Sequence, residues 1–320
     1  MSRLGPGAEF DRLRAVFARL QALGVGGDWG DDCAFVRLGA TTLAASVDLS
    51  LEGVHFRTAW LSFQDIGWRA TAAALSDLAA AAARPVGLLV SLGVPGSRRP
   101  GDAGRRGPAA EIMAGVGAAA RHVRAQVLGG DLVRSARYLV DVCVLGTTET
   151  PMRRRGARRG DGVWVSGIVG GPALALRRLR AGASPRGALW RRFARPEPRI
   201  AAGRWLARHG AHAMIDVSDG LAADAAHLAA ASGVALELEL ERVPCWPGVA
   251  PRVACASGEE FELLAALPPR FGEREARTFR QATGLPLTRI GRCAAGAGVR
   301  LTEAGRPVPL PRGFDHFAGR

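Results

Sequence analysis

The run Ala213-Met214-Ile215-Asp216-Val217-Ser218-Asp219-Gly220-Leu221, continuing to Asp224, sets two carboxylates three residues apart in an apolar segment, with a hydroxyl between them and a glycine after. Beyond the glycine, Leu221, Ala225 and Leu228 recur at helical spacing, with Asp224 one turn in. The pattern predicts a buried strand that turns sharply into a helix. Carboxylates flanked by apolar residues are costly unless something positive sits among them. The simplest local reading is that Ser218 or Asp219 caps the helix. Further aspartates in the first half of the chain weigh against it.

Gly24-Val25-Gly26-Gly27-Asp28-Trp29-Gly30-Asp31-Asp32-Cys33 delivers two adjacent carboxylates at the start of a strand over 34–38. This glycine-rich loop precedes a strand instead of opening a helix, so it is a poor dinucleotide fingerprint. A strand over 42–50 carries Ser46-Val47-Asp48 and runs into Glu52-Gly53-Val54-His55-Phe56. A helix over 65–83 holds Ser76 and Asp77 on an Ala-rich surface, where an aspartate is unusual; a helix–helix hydrogen bond is the alternative use. Val127-Leu128-Gly129-Gly130-Asp131 is a strand ending in glycines and a carboxylate. Carboxylates at element ends beside glycines suit a hard cation such as Mg²⁺, and glycine lets a triphosphate approach the backbone.

The remaining periodicities predict helices over 9–23 and 109–124, strands over 85–94 and 138–147, and a polar loop over 98–106. A proline- and arginine-rich connector over 151–161 marks a boundary. After it come a strand over 162–167, a helix over 172–180, a basic linker over 190–195 and a helix over 200–208. Beyond the opening segment, whose helix runs to 231, lie a strand over 235–240 and a proline-rich loop to 251. A strand to 267, a helix over 273–281 and a short strand over 288–291 complete the reading. The fold class expected is α/β (α+β) in two domains, 1–150 and 151–320, which also agrees with the length of 320 residues.

All 43 basic residues are arginine, the net charge is +14, and there is neither lysine nor asparagine. That bias fits a GC-rich genome better than selection for a basic surface. Aromatics are 6% and scattered, so no nucleic-acid partner is expected. The lack of lysine removes P-loop NTPases, protein kinases and Schiff-base chemistry. Five cysteines without a C-x-x-C pair are expected to be reduced core thiols. His209 and His212 are three apart with no third ligand near, so zinc is not expected. No uninterrupted apolar run is long enough for a membrane span. The first 14 residues contain acidic groups and no apolar h-region, so a cytoplasmic protein without a signal peptide is expected.

Taken in order, ten segments resemble bacterial thiamine-monophosphate kinases of the aminoimidazole ribonucleotide synthetase superfamily. They are Gly7-Ala8-Glu9-Phe10, Gly30-Asp31-Asp32-Cys33-Ala34, Ser46-Val47-Asp48 with Glu52-Gly53-Val54-His55-Phe56, and Leu75-Ser76-Asp77-Leu78-Ala79. Gly129-Gly130-Asp131, Gly156-Ala157-Arg158-Arg159-Gly160-Asp161, Pro198-Arg199-Ile200 and the opening run follow. Gly258-Glu259-Glu260-Phe261-Glu262-Leu263 and Gly313-Phe314-Asp315-His316-Phe317 end the series.

The resemblance implies two α/β domains, N-terminal sheets pairing across a homodimer, and ATP and thiamine monophosphate bound between the domains. It implies direct phosphoryl transfer giving thiamine diphosphate, with several Mg²⁺ ions. By position, the metal ligands fall on Asp32, Ser46, Val47, Asp48, Asp77, Asp131, Asp216 and Asp219. Nucleotide contacts fall on Gly130, Asp131, Arg154 and Ser218, and thiamine-phosphate contacts on His55, Glu259 and Phe314. Asp131, Asp216 and Asp219 are the residues expected to carry catalysis. Transfer between two polyanions needs charge neutralisation and in-line placement more than a strong base. Metal ions held by aspartates and an arginine such as Arg154 supply both without lysine.

This chain departs from the usual pattern at Val47, Ala74, Glu260, Phe261 and Phe314. The alternatives are a superfamily relative using ATP on another phosphate, amide or acyl substrate, and a non-catalytic nucleotide-binding protein.

Overall fold

The computed structural model describes residues 4–96, 104 and 106–317. Most of the polar loop expected over 98–106 lies outside the described residues. The first half comprises helix α1 (Ala8–Ala22), strands β1 (Ala34–Leu38) and β2 (Thr41–Leu51), helix α2 (Phe63–Ala80), strand β3 (Arg84–Pro95), helix α3 (Pro108–His122), and strands β4 (Gln126–Ser135) and β5 (Leu139–Thr148). The strands form one sheet in the order β1-β2-β5-β3-β4, antiparallel except for the β3–β4 pair.

The second half contains β6 (Gly162–Ser166), α4 (Gly171–Arg180), α5 (Gly187–Ala194), α6 (Ile200–Arg208), β7 (Ala213–Asp216), α7 (Leu221–Ser232) and β8 (Ala235–Glu239). A 3-10 turn at Leu240–Arg242 precedes α8 (Pro251–Cys255), β9 (Leu263–Leu267), α9 (Glu273–Thr283), β10 (Leu287–Ala294), β11 (Gly298–Glu303) and β12 (Arg306–Val308). Its seven strands are ordered β12-β11-β8-β10-β6-β9-β7, with β8–β11 the parallel pair. Two mixed sheets with helices give the α/β (α+β) class that the periodicity implies.

Helix α2 is the hub. Ser62 opens it by accepting the Asp65 amide at 3.1 Å and returning its hydroxyl proton to Asp65 Oδ2 at 2.7 Å, so the first turn is capped from both sides. Beyond that turn the helix is apolar nearly all round and is buried accordingly. Leu75 and Leu78 are fully buried, each contributing roughly 2 kcal/mol by leaving water. One face packs on β2 and β5, and others meet α3, α6 and β7. The closeness of these crossings has a residue-level cause. A Cβ on Gly67 would fall 1.9 Å from the Ile112 carbonyl oxygen, and one on Gly203 would fall 1.9 Å from that of Ala79. Glycine there lets α3 and α6 press onto α2 from different sides, which draws β7 up to it.

Three expectations need correction. The stretch 190–195 is the end of α5, not a linker, because Leu189, Phe193 and Ala194 are buried and Arg192 turns inward onto acidic partners. The proline-rich stretch before 251 includes the 3-10 turn and leads into α8. Beyond 291, β10 continues and β11 and β12 follow, although neither of those two shows a long alternation.

Candidate active site

Strand β7 is four residues long and wholly buried. It ends at Asp216, and the chain turns through 217–220 into α7. The helix is not capped by Ser218 or Asp219. Gly220, at φ 125°, is the N-cap and has no side chain to offer. The acceptor is Asp224 inside the first turn: its Oδ2 takes the amides of Ser218, Asp219 and Gly220 at 3.1, 3.2 and 3.0 Å. The cap thus comes from within the helix, and the side chains of Ser218 and Asp219 are left for other work.

Asp216 meets two carboxylates from the first half. Oxygens of Asp32, Asp77 and Asp216 lie within 4.8 Å of one another. Asp32 comes from the loop ahead of β1, Asp77 from α2 and Asp216 from β7. Each is held by its own partner. Ser46 on β2 donates to Asp77 Oδ2 at 2.5 Å, and Ser76 donates to Asp216 Oδ2 at 2.7 Å. Asp77 is therefore bonded to a strand rather than to another helix. Arg154 Nε donates to Asp32 Oδ1 at 2.9 Å.

Three carboxylates and one guanidinium leave a net negative charge in a largely dry place, and the proton affinities register it. Burial pushes Asp216 up to about 7, with Asp32 adding repulsion. Burial and then Asp216, Asp32 and Asp48 hold Asp77 well above the carboxylate range. Asp48 is raised to about 6 by burial and by Glu259, Asp141 and Asp219. Asp219 is raised to about 6 by burial and then Glu9. Buried like charges behave this way when the counterions among them are too few.

Ser46 and Asp48 alternate with Val47 on β2, so the Val47 side chain points to the other face of the sheet, where it is 63% exposed. Its isopropyl group is thus turned away from Asp48. Asp131 stands apart from the converging carboxylates. It is exposed on edge strand β4 and bonds back to the Leu132 amide at 2.8 Å. Gly130, beside it, packs so close to Val90 that an added Cβ would lie 1.8 Å from the Val90 carbonyl.

Glu259 is brought alongside by the loop 257–262. The Glu259 amide donates to the Ser218 carbonyl at 2.6 Å, and the Phe261 amide donates to that of Val217 at 2.8 Å. Glu259 and Phe261 both take left-handed conformations, φ 57° and 49°, at roughly 1–2 kcal/mol each. The alternation sends Glu260 and Glu262 inward and leaves Glu259 facing α2, ion-paired with Arg69. His55 Nδ1 accepts the Leu51 amide at 3.0 Å, which places the proton of the neutral ring on Nε2. Burial also lowers its proton affinity. Phe314 is half-exposed, its amide bonded to the Asp219 carbonyl at 2.8 Å.

Sequence reasoning missed Arg69 and the partners of the loop carboxylates. Arg69 lay hidden in an Ala-rich helix, with only its charge to mark it. Asp31 pairs with Arg153 at 2.6 Å, and Asp28 pairs with Arg153 and Arg155. The arginine cluster therefore closes onto the glycine-rich loop. Of the spaced histidines, His212 pairs with Asp161 at 2.9 Å and His209 stacks on Trp205. All five cysteines are unpaired, and Cys33, Cys255 and Cys293 are buried.

Residues 30–148 match the N-terminal domain, and residues 158–303 the C-terminal domain, of the AIR synthase related proteins. Over 286 residues the chain is 34% identical to the thiamine-monophosphate kinase of Rhodopirellula baltica, covering 85% of this chain and 83% of that one.

The chain belongs to the thiamine-monophosphate kinase family.

Solved structures of the family share its architecture. AaThiL complexed with AMPPCP and TMP superposes with a TM-score of 0.83 at 30% identity, covering 97% of each chain. The thiamine-monophosphate kinase from Stenotrophomonas maltophilia K279a does so at 0.75 and 31% identity, covering 92% of this chain and 97% of that one. Among the described residues, no helix is long and apolar enough to cross a membrane.

Proposed function

We propose that this chain transfers the terminal phosphoryl group of ATP directly to the phosphate of thiamine monophosphate, giving thiamine diphosphate. The observation that carries the reading is the convergence of Asp32, Asp77 and Asp216 from three separate elements with one arginine among them. The family relative bound to AMPPCP and TMP supports it. The carboxylate oxygens are hard donors and their charge exceeds that of the one guanidinium among them, so they fit Mg²⁺. Asp32, Asp77 and Asp216 would hold the metal, with Asp48, Asp219 and the hydroxyl of Ser46 beside them. When bound, Mg²⁺ supplies neutralisation of the polyphosphate and of the charge that develops in transfer.

The chain's own residues do the rest. Arg154 is already aimed at the carboxylates and offers a planar fork to a phosphate. Ser218, freed from capping, and Gly130 are assigned to the nucleotide, and Asp131 to a metal on the nucleotide side. On the acceptor side, His55 presents Nε2–H as a donor. Glu259 sets a negative charge near the cationic thiazolium, and the Phe314 ring offers a stacking surface. Asp216 and Asp219 must release protons before accepting a cation, so binding and deprotonation are linked.

Two departures from the family pattern lie away from this side. Glu260 is committed to Arg192, and Ala74 is buried in the core. Neither favours another substrate. The division of labour we assign is ATP and metal binding with dimerisation in 1–150, and completion of the site by 151–320. Exposed Val47, Leu49 and Val133 on the outer face of the first sheet support a homodimer through that face. We assign the protein to the cytoplasm. The test is a coupled assay with folded protein, ATP, Mg²⁺ and thiamine monophosphate. Formation of thiamine diphosphate and ADP in equal amounts is expected; ATP binding without turnover would leave a nucleotide-binding protein and end this reading.

A further inference from the structure

The two ends of the chain meet over the candidate site, and the roles assigned so far give that meeting no task. Helix α1 begins at Ala8, and its N-cap Gly7 has no side chain with which to accept an amide. The acceptor arrives from the far end: the Ala8 amide donates to Asp315 Oδ2 at 2.7 Å across 307 residues. Gly7 sits at φ +135°, with Asp315 Oδ2 only 3.3 Å from where a Cβ would be. The other oxygen, Oδ1, accepts the Phe317 amide at 2.8 Å and so folds the tail back. The Arg12 guanidinium lies over the Phe317 ring at 4.1 Å, and Phe10 stacks on His227 of α7 at 4.0 Å.

The same tail reaches the reacting side. The Phe314 amide bonds the Asp219 carbonyl at 2.8 Å. Gly313 lies so close that an added Cβ would be 2.6 Å from that oxygen and 2.7 Å from Ala223 Cβ. The Phe314 ring meets His316 edge-on at 4.7 Å, and His316 stands 5.1 Å from His55. One carboxylate thus ties the first turn of α1 to a tail that touches both the Asp219 backbone and the His55 side.

We propose that Asp315 is a positioning residue. By capping α1 from the opposite end of the chain it clasps the tail against Asp219 and holds Phe314 ready for the thiamine ring. An aspartate at a helix N-terminus gains both a hydrogen bond and a favourable dipole contact. Without it the tail samples other conformations, and the binding-competent fraction falls with apparent substrate affinity. The identity of the ligand rests on the function proposed above; the clasp itself does not.

Two measurements on the full chain separate the two ideas. Hydrogen exchange of the free protein reads the clasp alone. In Asp315→Ala, amides in 8–12 and in 313–317 should exchange faster together, while 221–232 stays protected. Steady-state kinetics reads its use. The KM for thiamine monophosphate should rise about tenfold, or about 1.4 kcal/mol, with kcat and the KM for ATP changed less than about twofold. Asp315→Asn keeps a capping oxygen and should restore KM to within about threefold of the wild type. Exchange that is unchanged, or faster in only one segment, would overturn the clasp. Faster exchange with an unaltered KM, or an equal loss in kcat with both substrates, would overturn the positioning role. If the wild type makes no thiamine diphosphate, the proposed function and this use fall together, and exchange still decides the clasp.

Discussion

Two buried acidic groups lie on either side of the turn from β7, and the chain treats them in opposite ways. On one side Glu260 and Glu262 are met by arginines: Arg192 reaches both at 3.0 and 3.1 Å, and Arg199 reaches Glu262 at 2.7 Å. Ser166 and the Gly170 amide occupy further oxygens at 2.6 and 2.5 Å. On the other side Asp32, Asp77 and Asp216 share a single guanidinium, that of Arg154. The first group is closed and ties α5 and α6 to the sheet. The second is left electrostatically incomplete, which is the ground for proposing that a cation completes it. Burial is common to both groups; the supply of internal cations is what differs.

The comparison breaks most sharply at Asp216. Asp216→Asn should lower kcat/KM by roughly 10³-fold in the coupled assay while the protein stays folded. Activity within tenfold of the wild type would make the open group structural too. Arg199→Ala should do the reverse. It strands Glu262 in the interior and should cost about 3 kcal/mol of stability in urea unfolding, with little change in KM if folded protein is assayed. A surface-sized effect below about 0.5 kcal/mol would mean that the Arg199–Glu262 pair is not what fastens α6.

The pH response tests the open group through its link to Mg²⁺, since burial raises Glu260 of the closed group to about 7 as well. Asp216 and Asp219 are raised to about 7 and about 6, above the ordinary value of a carboxylate. A raised group contributes stability below its unfolded value, near pH 4, and loses it as pH rises through the folded value. Metal-free protein should therefore lose thermal stability between about pH 4 and 7 from this group. Mg²⁺, which competes with the same protons, should raise Tm more at pH 8 than at pH 5.5. Equal shifts at both pH values would contradict the account. Asp224→Ala removes the acceptor of three amides and should cost about 1–2 kcal/mol by thermal or urea unfolding, with no cost contradicting the cap. Val47→Thr, on the far face of β2, should alter the Mg²⁺ dependence less than about twofold, since its side chain points away from Asp48.

Much of this was legible in the residues. Apolar flanks around Asp216 announced a buried strand, and the alanines around Asp77 announced a buried helix, because a hydrophobic period is a local property of the chain. Where the carboxylates converge is not local. It depends on Gly67 and Gly203, whose missing side chains allow close helix crossings that no pattern in the sequence marks. Arg192 illustrates a second limit. Its charge, beside Arg191, made 190–195 look like a solvated linker, yet it turns inward because Glu260 and Glu262 wait 68 and 70 positions later. The capping role of Asp224 was hidden for a related reason: Ser218 and Asp219 are better caps by type and position, and geometry assigned the task to neither.

The most direct test is to locate the metal. Crystals grown with ATP and Mn²⁺ in place of Mg²⁺ would show the ion by anomalous scattering. A peak is expected within coordination distance of oxygens from Asp32, Asp77 and Asp216. No peak there, with Mn²⁺ and nucleotide bound elsewhere in the protein, would contradict this placement of the metal.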